Sequence, residues 1–321
     1  MGVKQLNRFL KDNCSKYSIA HQHLSLYKGK RMVIDTSIFM YKFITEKSLL
    51  EQMYNLISIL RDNNIQPLFV FDGKPPPEKM EILRQRRETR WNAKQEFNQL
   101  HDKLQMLNTD KDETAIRNKM NALETKMVRI KDDDINKVKS LMDAYGVMYY
   151  DAKGESDDVC AFMVKGGIAD VCLSDDMDMF LYGIPCIIRN ISMLHHTAIG
   201  YDYNKILEEL EMTDREFREI MILSGSDYGM EDHTSIHRTI EWFYKYRKHI
   251  TDETCECTTF YDWLVANTEY VNDIDKLNKI YDLYELKNTS VFDELQNMEI
   301  KLKEPCMIKL KYILYDVGFI F

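Results

Sequence analysis

The feature that most constrains the fold is a run of 68 residues, 78–145, that contains neither glycine nor proline. The prolines Pro75–Pro77 stop the element before it, and the next glycine is Gly146. Because glycine and proline are the strongest helix breakers, the run is expected to be almost wholly helical. Apolar residues recur every three to four positions on both sides of a polar turn at 108–112. This pattern predicts a helical hairpin whose apolar faces meet and whose arms project from the protein.

The segments that flank the hairpin alternate between short apolar runs and amphipathic stretches. We predict strands at 31–35, 67–71, 147–150, 169–174 and 185–190, and helices at about 36–62, 155–166, 203–224, 236–249, 258–267 and 273–286. Such alternation is typical of a mostly parallel sheet with crossover helices. The predicted fold class is therefore α/β, with a mostly parallel central sheet flanked by helices, a projecting helical hairpin and a helical C-terminal part.

Seven acidic residues lie where the apolar runs stop. They are Asp35, Asp72, Glu155, Asp157, Asp176, Asp178 and Asp227. A doubly wound sheet gathers residues from consecutive strand ends along one edge, so these acids are expected to lie together. Their mutual repulsion must be offset by protons or cations. Oxygen ligands suit hard divalent cations, and a pair of Mg²⁺ ions, with Mn²⁺ able to substitute, suits phosphodiester cleavage.

Taken singly, each acidic motif also has a purely structural interpretation. Asp72 could cap the next element, and acids at 155–158 could simply complement a helix dipole. Asp227 could belong to an ordinary turn. His195 and His196 have no partner at metal-binding spacing, so we expect a strand or loop role for them.

Composition excludes few classes of function. The formal net charge is −9, but the seven acids account for most of it, so a nucleic-acid partner is not excluded. No apolar run approaches the ~18–20 residues of a membrane span, and no signal peptide is visible. The seven cysteines are scattered, which indicates free thiols in a reducing compartment. We expect a soluble intracellular monomer of the nucleus or cytoplasm, or of the host-cell cytoplasm if the chain is viral, with no membrane partner.

As an ordered set, the motifs resemble those of the flap endonuclease/XPG-type 5′-nuclease family. The matching strings, over roughly residues 1–250, are MGVKQL, VIDTSIFMY, FVFDGKPP, GESDDVCA, SDDMDMFLYG and LSGSDYG. The resemblance implies a PIN-like nuclease fold in which the hairpin forms an arch. It also implies Mg²⁺-dependent endo- or 5′-exonucleolytic hydrolysis of DNA with a 5′ flap or single-stranded 5′ end, in replication, repair or recombination. The implied domains are a nuclease domain in two parts, 1–77 and 147–250, the arch at 78–146 and a helical C-terminal region at 251–321.

The resemblance also implies roles for individual residues. Asp35, Asp72, Glu155 and Asp157 would form one metal group, and Asp176, Asp178 and Asp227 the other. The family usually has Glu at position 157, so a water could intervene here, or Asp158 could substitute. Lys79 and Arg86 are seven residues apart, on the same side of a helix, and match residues that reach the scissile phosphate. A solvated helix face is the alternative.

The remaining predicted DNA contacts are one aromatic and several basic residues. Tyr41 matches an aromatic that stacks on the base near the cut, with a buried core tyrosine as the alternative. The basic residues are Arg84, Arg87, Arg90, Arg238, Lys245, Arg247 and Lys248. The family's glycine-rich turn that grips duplex phosphates corresponds here to residues 233–238, which contain no glycine. That contact should therefore be weakened or remodelled.

Two points stay open from sequence alone. The final segment, KLKYILYDVGFIF, ends in aromatics like a tail that docks on a sliding clamp, but it lacks the opening glutamine. A packed terminal strand is the favoured interpretation. For the function, the alternatives are a catalytically inactive nuclease-like protein that binds DNA or serves as a scaffold, and an RNA-directed 5′-exonuclease on the same scaffold. An inactive site is disfavoured because no ligand position has become neutral.

Overall fold

The centre of the protein is a twisted sheet of seven strands with helices on both faces. The computed structural model describes residues 3, 5–105, 110–225, 234–252, 259–271, 273–286, 289–315 and 318–319. Within these, the strands are β1 Ile19–His23, β2 Arg31–Asp35, β3 Gln66–Phe71, β4 Met148–Asp151, β5 Val171–Leu173, β6 Cys186–Ser192 and β7 Thr197–Asp202. Their spatial order is β1-β7-β6-β5-β2-β3-β4, parallel from β6 to β4 and antiparallel where β7 meets β6 and β1.

Helices follow most of the strands. They are α1 Leu6–Asn13, α2 Thr36–Thr45, α3 Leu49–Asp62, α4 Met80–Gln105, α5 Asp110–Met127, α6 Asp132–Tyr145, α7 Ser156–Lys165, α8 Tyr203–Glu209, α9 Asp214–Leu223, α10 Ile236–Asp252, α11 Phe260–Asn267, α12 Ile274–Leu283, α13 Thr289–Gln296 and α14 Met307–Tyr315. Short 3₁₀ segments occupy Leu24–Tyr27, Pro77–Lys79 and Asp178–Tyr182. In the described part of the chain, none of these helices is both long and apolar enough to cross a membrane.

The two faces of the sheet bury two separate apolar cores. Along β2 and β3 the side chains alternate, so that Val33 and Leu68 enter one core while Ile34 and Phe69 enter the other. Helices α1, α7 and α9 to α12 contribute to the first core, and α2, α3, α6 and α14 to the second. A strand that is buried on both faces has a continuous apolar sequence, which is why MVID and PLFVFD could be predicted as strands. The predicted α/β class is confirmed.

The run without glycine and proline is helical, as predicted, apart from the break at 128–131 and residues 106–109, which lie outside the described residues. Arms α4 and α5 pack together through Ala93 and Leu123, both buried, and through an ion pair of 2.6 Å between Lys119 and Glu96. The third helix, α6, instead packs on the sheet core with Val138 and its neighbours. The hairpin therefore consists of α4 and α5. The domain boundaries themselves stay predictions.

Several sequence expectations were wrong in detail. The helix predicted at 36–62 is split at residues 46–48, where Lys47 adopts a left-handed φ of 58°. The helix predicted at 203–224 is likewise split into two helices, α8 and α9, and Thr213 is the N-cap of α9. Strands β1 and β7 were not predicted. The expected terminal strand is helix α14, which buries Leu310 and Leu314, four residues apart, on one side.

Candidate active site

Five of the predicted acids meet at one edge of the sheet because their strands are parallel neighbours. Asp35 ends β2, and Asp72 directly follows β3. Glu155 precedes α7 and Asp157 lies in its first turn, while Asp176 follows β5. Strands β5, β2 and β3 lie side by side in this order, so their carboxyl ends open on the same edge. The acids line one cavity of about 590 Å³.

Two serines hold the acids in place. The Ser156 backbone N–H and hydroxyl donate to Asp72 Oδ1 at 2.9 and 2.7 Å, and the hydroxyl also lies 3.0 Å from Asp35 Oδ1. The Ser174 hydroxyl donates to the other Asp35 oxygen at 3.2 Å. Sequence reasoning missed both serines. Ser156 stands between two predicted ligands, Glu155 and Asp157, which is the one signal that was available.

The second acidic group is positioned by hydrogen bonds within the loop that follows β5. The Asp176 N–H donates to Ser174 Oγ at 3.1 Å, and the Asp178 N–H donates to Asp176 Oδ1 at 3.0 Å. Asp178 is buried and also accepts a hydrogen bond of 3.4 Å from Tyr284. Arg189, on β6, donates to the Asp175 carbonyl at 2.5 Å. The backbone between β5 and the following 3₁₀ turn is therefore fixed from several sides.

Burial and mutual repulsion favour protonated acids at this site. Burial, followed by the charge of Asp72, raises the pKa of Asp35 from 3.8 to about 8. Burial, followed by the charges of Asp35 and Asp176, raises the pKa of Asp157 well above its usual value. The pKa of Glu155 is also raised by burial, although Lys79 opposes that shift. Such shifts mark a group of carboxylates that are costly to ionise together and that a cation would favour in their ionised form.

Lys79 reaches from the base of the hairpin into the acidic cluster. Its ammonium lies 2.7 Å from Glu155 Oε2, and both side chains are largely buried. Burial alone would lower the pKa of Lys79, but the carboxylates of Glu155, Asp157 and Asp178 outweigh it and raise the pKa. Lys79 is therefore held in its charged form beside the acids.

The cavity is also lined by basic residues, which belong mainly to the hairpin. Arg86 and Arg90 from α4 line it together with Lys79. From α5 and the segment after it come Lys126 and Arg129, which sequence reasoning did not single out. They lie far along the chain from the acids, so only the fold of the hairpin brings them close. The cavity thus brings five carboxylates and five cations together.

Tyr41 also lines the cavity and is 40% exposed. Its hydroxyl lies 3.4 Å from the Thr125 carbonyl of α5, so it joins the base of the hairpin to α2. The alternative that Tyr41 is a buried core tyrosine is therefore wrong.

Other predicted residues lie elsewhere. Arg84 and Arg87 are exposed on α4 away from the cavity lining, and Arg84 pairs with Glu81 at 2.8 Å. Asp158 accepts a hydrogen bond of 2.8 Å from Tyr182 and does not line the cavity, so the structure does not favour it as a substitute ligand. Asp227 and His233 lie outside the described residues.

The predicted basic residues of α10 line a different surface. Arg247 pairs with Glu216 at 3.2 Å and donates to the Glu211 carbonyl. The Lys245 ammonium lies 4.1 Å from the centre of the Trp242 ring. Arg238 and Lys248 are exposed on the same helix. None of the four lines the cavity.

The donor chemistry of the site fits a hard cation. Five carboxylates converge on the cavity, and Asp157 Oδ1 is sealed from solvent and accepts no hydrogen bond within the described residues. In the same part of the chain, no three acidic, histidine or cysteine side chains are arranged to bind one ion together. Ser156 and Lys79 engage several of the carboxylate oxygens instead, and Asp227 is not among the described residues.

Comparison with known protein families places this site in context. The model of the XPG N-terminal domain matches residues 1–93, and that of the XPG I-region matches residues 146–227. Together the matches cover more than half of the chain. The chain belongs to the XPG and flap endonuclease family of nucleases. The predicted resemblance is thereby confirmed, and the unmatched gap at 94–145 covers the second half of α4 together with α5 and α6.

Individual flap endonucleases and solved structures of related nucleases are also similar to this chain. Flap endonuclease 1 of Aedes aegypti is 27% identical over 270 residues, which cover 75% of this chain and 68% of the relative. That of Glycine max is 31% identical over 247 residues, covering 71% and 62%. The chain spans between 60% and 68% of the length of the first flap endonucleases it matches.

The catalytic core of Rad2 in complex with a DNA substrate superimposes with a TM-score of 0.66 at 22% identity, covering 99% of this chain and 96% of that one. The Holliday junction-resolving enzyme GEN1, in complex with product DNA and a Mg²⁺ ion, gives a TM-score of 0.59 at 15% identity, covering 98% and 72%. These likenesses establish a shared fold.

Proposed function

We propose that this XPG-family protein is a structure-specific, Mg²⁺-dependent 5′-nuclease that cuts DNA at a 5′ flap or single-stranded 5′ end. The observation that carries the proposal is the cavity itself, where Asp35, Asp72 and neighbouring acids share a space of about 590 Å³ with Lys79 and Arg86. Acids and cations that line one cavity fit a reaction in which a polyanionic strand meets divalent cations.

Asp35, Asp72, Glu155 and Asp157 would hold one Mg²⁺, and Asp176, Asp178 and Asp227 a second, with Mn²⁺ able to substitute. Asp157 Oδ1, which is buried and accepts no hydrogen bond from the part of the chain that the structure describes, supports this assignment. So does the raised pKa of Asp35, because a carboxylate that is costly to ionise alone gains most from a bound cation. When bound, the ions would supply an activated water and neutralise charge on the phosphodiester.

Lys79 and Arg86 would bind the scissile phosphate from the hairpin side. Lys79 is already held charged at the cavity by Glu155, and Arg86 lies two helical turns further along the same side of the hairpin. Positive charge preset where negative charge develops is a large contribution to catalysis of phosphoryl transfer. Tyr41, exposed at the cavity wall, would stack on a base beside the cut.

DNA is the favoured substrate because the matched relatives are flap endonucleases and the superimposed Rad2 core is bound to DNA. The net charge of −9 does not oppose this, since the cations are concentrated on the hairpin and on α10.

A matched pair of variants tests the proposal. Asp176→Asn alters a buried acid of the cavity, whereas Asp151→Asn alters an exposed acid at the end of β4 that pairs with Lys139 outside it. Labelled 5′-flap DNA should be cut by the wild type and by Asp151→Asn with Mg²⁺ but not with EDTA, and Asp176→Asn should lose at least ~10²-fold in rate. Calorimetry should show weaker Mg²⁺ uptake by Asp176→Asn.

The rival functions give different results in the same assay. Tight DNA binding without cleavage by the wild type would indicate an inactive scaffold protein. Faster cleavage of a matched RNA flap would indicate an RNA-directed exonuclease. A near-normal rate in Asp176→Asn would refute the role of the acidic cluster.

A further inference from the structure

Helix α4 exposes a tryptophan that the cavity does not use. Trp91 is 62% exposed, while Trp263 is buried and Trp242 half-buried. Exposing so large an apolar ring is costly, and polar residues serve a solvated helix face better. Trp91 makes no contribution to the cavity lining or to either buried core.

The neighbours of Trp91 on its own side of the helix are basic. Arg84, Arg87, Trp91 and Lys94 follow one another at spacings of three and four, so they form one stripe, and all four are exposed. The residues that line the cavity from the same helix follow a different stripe, through Leu83, Arg86 and Arg90. At about 100° per residue, Trp91 points roughly a quarter-turn away from Arg90. We call the first set the Trp91 stripe.

The acids of this part of α4 leave the stripe positive. Glu88 lies one helical turn from both Arg84 and Trp91, at the border of the stripe, and Glu81 forms an exposed i,i+3 ion pair of 2.8 Å with Arg84, so the three cations of the stripe exceed these two acids by one charge. An exposed pair of this kind contributes little and is readily exchanged for another anion. The stripe therefore combines an aromatic face with a line of cations, next to a cavity that fits a nucleic-acid strand.

We propose that the Trp91 stripe is a second binding site for single-stranded DNA on the flank of the hairpin. A base stacks on the Trp91 ring while Arg87 and Lys94 bind phosphates on either side of it. Stacking on an aromatic ring between cations is sequence-tolerant, which suits a site that holds a strand without reading it. A groove for a protein partner would surround the tryptophan with apolar residues, and here its stripe neighbours are charged.

The proposal rests on the proposed function in one respect, since the strand it binds is the 5′ single-stranded portion of the substrate beyond the cavity. The site should therefore matter for long single-stranded arms and not for short ones. A strand too short to extend past the cavity would not reach Trp91.

The test compares Trp91→Ala with Tyr312→Ala in the full chain. Tyr312 is an exposed aromatic of α14, 75% accessible, and so controls for loss of a surface ring. Binding of labelled 5′-flap DNA with a flap of about 20 or about 3 nucleotides is measured by fluorescence anisotropy in EDTA, where no cleavage occurs. Trp91→Ala should weaken binding of the long flap about 5- to 100-fold and change the short flap less than twofold. Trp91→Phe should retain most of the affinity, and Tyr312→Ala should match the wild type.

Further readouts separate this site from the nuclease proposal. Binding of oligo-dT should quench the tryptophan fluorescence of the wild type, and most of that quenching should vanish in Trp91→Phe. Equal affinity of Trp91→Ala and the wild type for the long flap would overturn the site, as would equal weakening for both flaps. If the wild type proves unable to cleave but Trp91→Ala still loses long-flap binding selectively, the nuclease proposal fails and the site stands.

Discussion

Gly73 is the residue at which a single added methyl group should most directly disturb the acidic cluster. It follows Asp72, and its N–H donates to the Gly154 carbonyl at 2.7 Å. A Cβ built on Gly73 would lie 2.0 Å from the Ala152 carbonyl oxygen and 2.8 Å from the Lys153 carbonyl. Both obstacles are backbone atoms, so no side-chain rotation can relieve the clash.

The magnitude follows from the distance. Ordinary contact begins at 3.4 Å, so the loop after β3 and the loop after β4 must separate by more than 1 Å to admit a Gly73→Ala methyl. Overpacking of this kind costs about 1–3 kcal/mol. The shift also moves Asp72 away from Ser156 and Glu155, and a displacement of about 1 Å between reacting groups lowers rates by roughly 10²-fold.

Gly154→Ala is the matched control. Gly154 lies in the facing loop and accepts the hydrogen bond from Gly73, but its added Cβ would meet nothing within 4 Å. Urea denaturation should show a loss of about 1–3 kcal/mol for Gly73→Ala and less than about 1 kcal/mol for Gly154→Ala. Flap cleavage with Mg²⁺ should fall roughly 10²-fold only in Gly73→Ala. Equal stabilities and rates for the two variants would refute the argument that close backbone approach positions Asp72.

Three further predictions concern other parts of the molecule. Because the pKa of Asp35 is raised from 3.8 to about 8, its contribution to stability is fully present below pH 4 and is lost as pH rises through 8. In EDTA, the free energy of unfolding of the wild type should therefore fall relative to that of Asp35→Asn over this window, by at most about 1.4 kcal/mol per pH unit. Parallel pH profiles of the two proteins would contradict the raised pKa. Ser156→Ala removes the hydroxyl shared by two carboxylates and should cost about 1.5–3 kcal/mol in urea denaturation, so an unchanged midpoint would count against its positioning role. A Cβ on Gly146, at φ 73°, would lie 2.5 Å from the Lys303 carbonyl oxygen, while a Cβ on Gly167, at φ 70°, would meet open space among the described residues. Gly146→Ala should therefore lower the thermal unfolding midpoint clearly more than Gly167→Ala. Equal losses would show that backbone strain alone sets the loss of stability.

Much of the fold was predictable because the strongest signals are local. Strands buried on both faces are short apolar runs, and an acid after such a run marks the carboxyl edge of a parallel sheet. Asp35 and Asp72 were placed correctly on this basis. The helical content of the hairpin followed from the absence of glycine and proline in residues 78–145, although the break at 128–131 occurs without either residue.

The parts that escaped prediction depend on tertiary contacts. Strands β1 and β7 carry IAHQH and TAIGYD, which are too polar for a continuous apolar run and alternate only weakly. No glycine or proline marks the break between α2 and α3 at Lys47 in the sequence. The run KLKYILY is short and apolar, which fits a strand and a helix equally well until packing decides. A helix results because Leu310 and Leu314 face the same core.

The same difference between local sequence signals and tertiary contacts applies to the residues of the site. Acids fixed by strand ends could be predicted from sequence, whereas Ser156, Ser174 and the α5 cations could not, because their roles arise from distances across the fold. A serine between two acids is common in loops and carries no periodic signal. Lys126 lies at the end of α5 and Arg129 in the segment after it, and only the pairing of α4 with α5 brings them to the cavity.

The acids and the cations that line the cavity are held by contacts of different strength, and this bears on how a substrate would be positioned. Asp35, Asp72 and Asp176 are attached to strands in the centre of the sheet, where backbone hydrogen bonds fix the strand ends. The hairpin meets the body of the protein through exposed contacts such as Lys47 with Glu124, a pair of 2.8 Å that contributes at most about 1 kcal/mol. Lys79 is the exception, because it follows the rigid prolines and is buried against Glu155. The fold therefore fixes one cation beside the acids, and under the function proposed above Arg86 and Arg90, further along α4, are the cations that a bound strand would draw into place.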